Sequence, residues 1–202
     1  MGKRIRRHVD PFQCRIALQP EDWLGLYREH GGGEIWLDLG CGKGEFLAGL
    51  AVLYPGMFFI GVEIRGKIAE AYFPKHKHLS NLALLHGNVN RSIPSFMGPC
   101  KACRVFIHFP DPYTHRARYE KRRMVNKSFV EGLCEILCPG GVTSIKTDDR
   151  VLFDEMDALL SERLEPIATQ GFLPEGVIIV SEWEMDCDKK SIPVYSREYA
   201  LR

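Results

Sequence analysis

Five short apolar runs recur along the chain, at residues 34–39, 58–63, 82–86, 104–109 and 142–147. Stretches with helical spacing separate most of them. Runs this short and continuous read as strands buried on both faces. Strands that alternate with helices pack as a parallel sheet, because right-handed crossovers bring each strand back beside an earlier one. The spacing places helices over 44–54, from Gly66 onward, over 125–137 and over 151–164, with a short one opened by Pro20-Glu21-Asp22 and closed at Gly31. Residues 91–100 stay open between a short helix and irregular chain, and Pro139-Gly140-Gly141 reads as a turn. Residues 176–183 read as a sixth strand and 194–201 as a seventh, joined by a polar linker at 185–192 with no helical pattern. A linker without a helix makes this final pair an antiparallel hairpin at one edge. The expectation is an α/β fold: a mostly parallel seven-stranded sheet with an antiparallel C-terminal hairpin and helices on both faces. It forms one domain over 20–202, preceded by a basic arm at 1–19.

The run at 36–44, Trp-Leu-Asp-Leu-Gly-Cys-Gly-Lys-Gly, says most about ligands. A strand that empties into a glycine turn lets a ligand touch backbone, because no Cβ blocks the approach. A dinucleotide fingerprint wants its third glycine where Glu45 stands. Asp38, just before the turn, would repel a phosphate and accept a hydrogen bond from an amine. The ligand that fits Asp38, Gly40 and Gly42 is cationic and amino-acid-like, as S-adenosylmethionine is. A plain strand–turn–helix without ligand is the alternative.

Ligands of an open parallel sheet bind beyond the carboxyl ends of the strands. Each such end carries a polar residue here. The second strand ends in Glu63, roughly 25 residues after Asp38, near the spacing at which an acid reaches ribose hydroxyls. The third ends in Gly87-Asn88, whose amide could meet an adenine or simply cap the next helix. The fourth ends in Phe109-Pro110-Asp111-Pro112, a stiff extended turn, since proline fixes its own φ and restricts the residue before it. The fifth ends in Thr147-Asp148-Asp149.

The net charge of +1 conceals two basic clusters: Lys3, Arg4, Arg6 and Arg7, then Arg116, Arg118, Lys121, Arg122, Arg123 and Lys127. Clusters, not the net value, decide whether a chain grips a polyanion. In the second cluster Tyr113 and Tyr119 lie among the cations, a mixture suited to phosphates and unstacked bases. The seven cysteines are odd in number, and the lone Cys100-x-x-Cys103 lacks further ligands at zinc spacing. Free thiols in a reducing cytoplasm are expected, with no metal. No secretory signal is visible, and the uncharged stretch 47–62 is broken by Tyr54-Pro55-Gly56, so no membrane span is expected.

Taken together, Leu37-Asp38-Leu39-Gly40-Cys41-Gly42, Gly61-Val62-Glu63, Phe109-Pro110-Asp111-Pro112, Lys121-Arg122-Arg123 and Lys146-Thr147-Asp148 resemble the bacterial tRNA (guanine-N7-)-methyltransferase family. The resemblance runs from about residue 30 to the C-terminus, and the Phe-Pro-Asp-Pro with Lys-Arg-Arg combination is its specific part. It implies a Rossmann-like class I methyltransferase, S-adenosylmethionine as methyl donor, and a guanine in the variable loop of tRNA as acceptor. It implies cofactor contacts from Asp38, Gly40, Gly42, Glu63, Asn88 and Asp111, with Asp111 also the active-site acid. Substrate contacts would come from His115, Asp148, Tyr195 and Glu198, with Arg116, Arg122 and Arg123 on phosphates. Tyr113-Thr114-His115 stands where the family commonly has Trp-Pro-Lys, and Tyr195 where it has threonine. No obligatory protein partner is implied, and the chain would act as a monomer or homodimer. A class I methyltransferase acting on a small molecule or protein, or a non-catalytic RNA-binding relative, are the other readings.

Overall fold

The computed structural model describes residues 10–93, 95–113 and 121–201. The strands are β1 (Ile35–Leu39), β2 (Phe58–Glu63), β3 (Leu82–His86), β4 (Ala102–His108), β5 (Leu137–Thr147), β6 (Leu164–Ile167) and β7 (Tyr195–Leu201). They form one sheet in the order β3-β2-β1-β4-β5-β7-β6. The first five run parallel, β7 lies antiparallel to β5, and β6 pairs antiparallel with β7. The helices are α1 (Leu24–His30), α2 (Glu45–Leu53), α3 (Gly66–Tyr72), α4 (Val89–Ser92), α5 (Lys127–Ile136), α6 (Arg150–Ser161) and α7 (Glu182–Lys189).

Alternation along the strands sorts side chains onto two cores. On one face Ile35, Leu37, Phe58, Ile60, Val105, Ile107 and Ile145 pack with Trp23 of the N-terminal helical segment, with α4, and with Phe129 and Leu133 of α5 and Met156 of α6. On the other face Trp36, Phe59 and Phe106 meet Phe46, Leu47 and Leu50 of α2, together with Phe172, Leu173 and Ile179. Trp36 lies edge-on to Phe59, Phe106 and Phe172 at centroid distances of 5.7, 6.0 and 5.8 Å. Truncating so large a buried ring costs about 3–5 kcal/mol.

The expected hairpin exists, but its first strand does not lie at 176–183. The sixth strand is Leu164–Ile167, which the reading by spacing had partly absorbed into the preceding helix. It carries Pro166, which an edge strand tolerates because it needs no donor on its open side. The apolar run Val177–Val180 is not a strand. Ile179 packs near Gly49 of α2, while Ile178 is 82% exposed. The stretch 185–192, expected as a linker, falls largely in α7, whose Ser181 cap accepts from Glu184 N. Its strongly polar composition hides its helical period. The segment between β6 and β7 is therefore a long excursion over the α2 face, held by Lys43–Glu182 and Lys146–Glu184 ion pairs at 2.6 Å each. The expected turn at Pro139-Gly140-Gly141 survives as a bulge inside β5: pairing jumps from Leu137 to Val142 while β4 advances only from Ala102 to Arg104.

Residues 1–9 of the basic arm, and 114–120 with His115 and Arg116, lie outside the described residues. Residues 10–19 are irregular but tied down: Asn88 N donates to Ile16 O, and Leu18 N to Ser92 Oγ at 2.7 Å. All seven cysteines are free thiols. No helix of the described residues is long and apolar enough to cross a membrane.

Candidate active site

Sheet order reverses between β1 and β4, which leaves a crevice beyond their carboxyl ends. Asp38 reaches it from β1, paired in register with Gly61 and Phe106. Its side chain is buried, and no hydrogen bond among the described residues reaches its carboxyl. Burial, and then the neighbouring Glu63 charge, push its pKa up to about 8. An acid buried without a donor is costly, and it persists where a ligand supplies the missing charge.

Glu63, at the end of β2, is the opposite case. Its two oxygens accept from Gly42 N at 2.9 Å, Arg65 N at 2.8 Å, Arg65 Nε at 2.9 Å and Arg65 Nη2 at 2.8 Å. These bonds hold the Arg65 guanidinium above its ordinary range, with the charges of Glu63 and then Asp111 adding to it. Arg65 therefore feels both the β2 and the β4 acid.

The turn between Asp38 and α2 is anchored by Gly40 N and Cys41 N, which both donate to Val62 O, at 2.8 and 3.0 Å. Gly40 has φ +98°, and a Cβ there would meet nothing within 4 Å. Only glycine takes that backbone shape without strain, and the open space above it is where a ligand can lie against the main chain.

Asp111 sits on a strained turn. Phe109 and Tyr113 bracket it with φ of +51° and +45°. Left-handed backbone at a bulky residue costs about 1–2 kcal/mol, and such strain gathers at working sites. Phe109 N donates to Lys146 O at 2.7 Å. Arg123 braces the far side: its Nε donates to Pro112 O at 3.2 Å, and its Nη1 pairs with Glu155 of α6. Arg122 pairs with Asp10 at 2.9 Å. Of the three arginines expected on phosphates, Arg122 and Arg123 thus have intramolecular partners, and Arg116 lies outside the described residues.

At the neighbouring end of β5, Asp149 caps α6 through Leu152 N, as its residue type suggests, and Asp148 is left half-exposed. Tyr195 lies opposite Thr147, with its ring 5.8 Å from Phe153 and 5.2 Å from the Arg150 guanidinium. Glu198 is elsewhere. It is buried in mid-sheet, pairs with Arg104 at 3.0 Å and accepts from Gln170 N at 2.7 Å. The Arg104 guanidinium lies 4.9 Å from the Phe172 ring centroid. Asn88 is also engaged: its amide donates to Pro11 O and Cys14 O, and its oxygen caps α4. The helix-cap alternative describes it, and it additionally pins the start of the described chain.

The crevice thus gathers Asp38, Gly40, Gly42, Glu63 and, through Arg65, Asp111. Asp148 and Tyr195 stand at the adjoining rim. Sequence reasoning missed Arg65 and His108. The His108 ring lies between Phe46 and Phe106 at 5.4 and 5.3 Å, and its Nε2 is 3.3 Å from Ser144 Oγ. Burial, then the Lys146 charge, lowers its pKa to about 3, so it is neutral. A signal for both existed: Arg65 follows Glu63 by two, and His108 shares the side of β4 on which Phe106 lies.

Residues 33–196 match the model of a family described as "Putative methyltransferase". A protein of Synechococcus sp. (strain JA-3-3Ab) named tRNA (guanine-N(7)-)-methyltransferase is 33% identical, over 96% of this chain and 84% of its own length. One of the same name from Thermosynechococcus vestitus is 36% identical, over 73% and 70%. Among solved structures, the aminoglycoside resistance methyltransferase NpmB1 superimposes with a TM-score of 0.61 at 19% identity, covering 93% of this chain and 95% of that one. The 16S rRNA methyltransferase KamB gives 0.60 at 13% identity, covering 92% and 95%. At these identities the likeness is one of fold, the class I methyltransferase sheet.

Proposed function

Because the chain belongs to the tRNA (guanine-N(7)-)-methyltransferase family, we propose that it transfers the methyl group of S-adenosylmethionine to N7 of a guanine in the variable loop of tRNA. The observation that carries this reading is the pairing of a buried, unpartnered Asp38 with the open backbone at Gly40, beside the strained Asp111 turn. The residues fit such a cofactor: an acid awaiting an ammonium, a bare glycine surface, and a second acid at the end of the neighbouring strand.

Bound there, S-adenosylmethionine supplies a methyl group on a cationic sulfur. The chain supplies the rest. Asp38, once it gives up its proton, holds the amino group. Glu63 accepts from ribose hydroxyls, and Arg65 yields part of its fork to let it do so. Guanine N7 offers a lone pair and carries no proton, so an in-line displacement needs no general base. Rate enhancement then comes from positioning and from fixed charge. The methylated base is a cation, and Asp111, held on a turn with little freedom, stabilises that charge as it develops. Asp148 can accept from the N1–H and N2–H edge of guanine, which adenine does not present in that form. The target base must leave its stack to reach the crevice.

The test is incubation with labelled S-adenosylmethionine and tRNA lacking base modifications, followed by chain cleavage at 7-methylguanine. Label in tRNA and a cut within the variable loop are expected. Label in protein or a small molecule contradicts the substrate. Retention of tRNA without label contradicts the activity.

A further inference from the structure

Of the cations expected to hold RNA, Arg122 pairs with Asp10 and Arg123 with Glu155, while Lys121 and Lys127 have no ion pair among the described residues and the others lie outside them. Arg104, Arg150 and Arg197 pair with Glu198, Asp154 and Asp157. Among the described residues, Lys67, Lys75 and Lys77 have no ion pair, and all three are exposed. Lys67 sits on α3, Lys75 on the 3-10 turn Phe73–His76 that follows it, and Lys77 just after that turn. This turn is stitched to the glycine loop of the crevice: His76 Nε2 lies 3.2 Å from Lys43 O, and the Lys43 ammonium is 4.8 Å from the centre of the Tyr72 ring. Lys75 approaches the same ring at 4.4 Å. Two ammonium groups thus flank one half-exposed aromatic ring at the rim of the crevice, with His76, Lys77 and His78 continuing the stripe. The acid Glu70 shares the helix but pairs with none of these lysines.

We propose that the Tyr72–Lys75–Lys77 stripe is a tRNA-contact surface, on which phosphates of the substrate meet Lys75 and Lys77 while its target base enters the crevice. This rests on the tRNA reading above and extends it to a surface that the sequence reading did not single out. Three arguments support it. The lysines are strongly hydrated point charges without internal ion pairs, so phosphate contact breaks no native salt bridge. Tyr72 offers a ring already set among cations, the mixture that suits a backbone and its bases. The stripe is joined to the glycine loop through the His76–Lys43 contact, so an RNA lying along it ends at the cofactor crevice.

The experiment uses the full chain with Lys75→Glu/Lys77→Glu, the neutral Lys75→Gln/Lys77→Gln, and Arg163→Glu beyond α6, at the start of the β6 edge. Each variant is assayed for tRNA methylation over a range of salt, and S-adenosylhomocysteine binding is measured by calorimetry. The reversal variant is expected to raise the KM for tRNA roughly tenfold and to make the log–log salt slope shallower by about two, one per lost phosphate contact. The neutral variant should show the same change of slope with a smaller rise in KM. Both should keep kcat and S-adenosylhomocysteine affinity, and Arg163→Glu should change nothing. A KM and slope equal to wild type in both lysine variants overturns the stripe alone. A wild-type protein that methylates no tRNA overturns the functional reading and the stripe with it.

Discussion

The β1–β2 half of the crevice and the β4–β7 half treat their charged residues in opposite ways. In the first, Asp38 is buried with no donor and Gly40 has open space above it, so the site is built around something not supplied by the chain. In the second, Arg104, Arg122, Arg123 and Glu198 all have partners within the fold, and Asp148 is half-exposed. A charge left unsatisfied marks where a ligand goes, and a charge in a good internal pair marks what holds the ligand's surroundings still. Residue type alone does not distinguish the two.

The largest effect that would sharpen this contrast is on chemistry. Asp111→Ala is expected to lower kcat by about 10²–10³, the size seen when one preorganised charge is removed, while tRNA retention on filters stays near wild type. A variant with normal turnover would strip the strained turn of its role. Glu198→Ala should behave in the reverse way. It leaves Arg104 buried and unpaired, which costs about 3–5 kcal/mol of stability by chemical denaturation, yet turnover per folded molecule should persist. Lost turnover at unchanged stability would return Glu198 to the substrate.

Asp38 joins the two halves of the contrast through pH. Its carboxyl, ordinarily near 4, sits at about 8 in the fold. The folded chain then binds a proton that the unfolded chain releases, so this acid makes the protein less stable as pH rises from about 4 to 8. Asp38→Asn removes that slope and should raise the melting temperature of the free protein at pH 8, while weakening S-adenosylhomocysteine binding. In wild type, a cationic amino group must meet the ionised acid, so affinity should climb roughly tenfold per pH unit up to about pH 8. A flat profile between pH 6 and 8 would break the proposed contact. The smallest effect belongs to Arg122→Ala, whose half-exposed pair with Asp10 is worth about 0–1 kcal/mol. Thermal melts should barely move and the salt slope for tRNA should stay at its wild-type value.

How much of this was legible follows the range of the forces involved. The strands β1 to β4 and the ends bearing Asp38, Glu63 and Asp111 are written in local pattern: an apolar run, a glycine or proline punctuation, then an acid. The structure keeps all of these within a residue or two. Phe109 and Tyr113 at positive φ were not legible, because nothing in a bulky residue announces left-handed backbone. Neither were the partners of Arg123 and Glu198, on Glu155 and Arg104, since they lie far apart in sequence and meet only through packing. The misplaced sixth strand has the same origin. Val177–Val180 is more strand-like than Leu164–Ile167, but the chain needs it to pack against α2, and edge pairing on β7 goes to a segment with a proline in it.

The central claim is that the cofactor lies over Gly40 with its amino group on Asp38 and its ribose on Glu63. A crystal structure of the complex with S-adenosylhomocysteine measures this directly. The expected result is the ligand in the β1–β4 crevice, with Arg65 drawn partly away from Glu63 and the Asp111 turn unmoved. A ligand bound outside that crevice, with the four donor bonds on Glu63 intact, would contradict it.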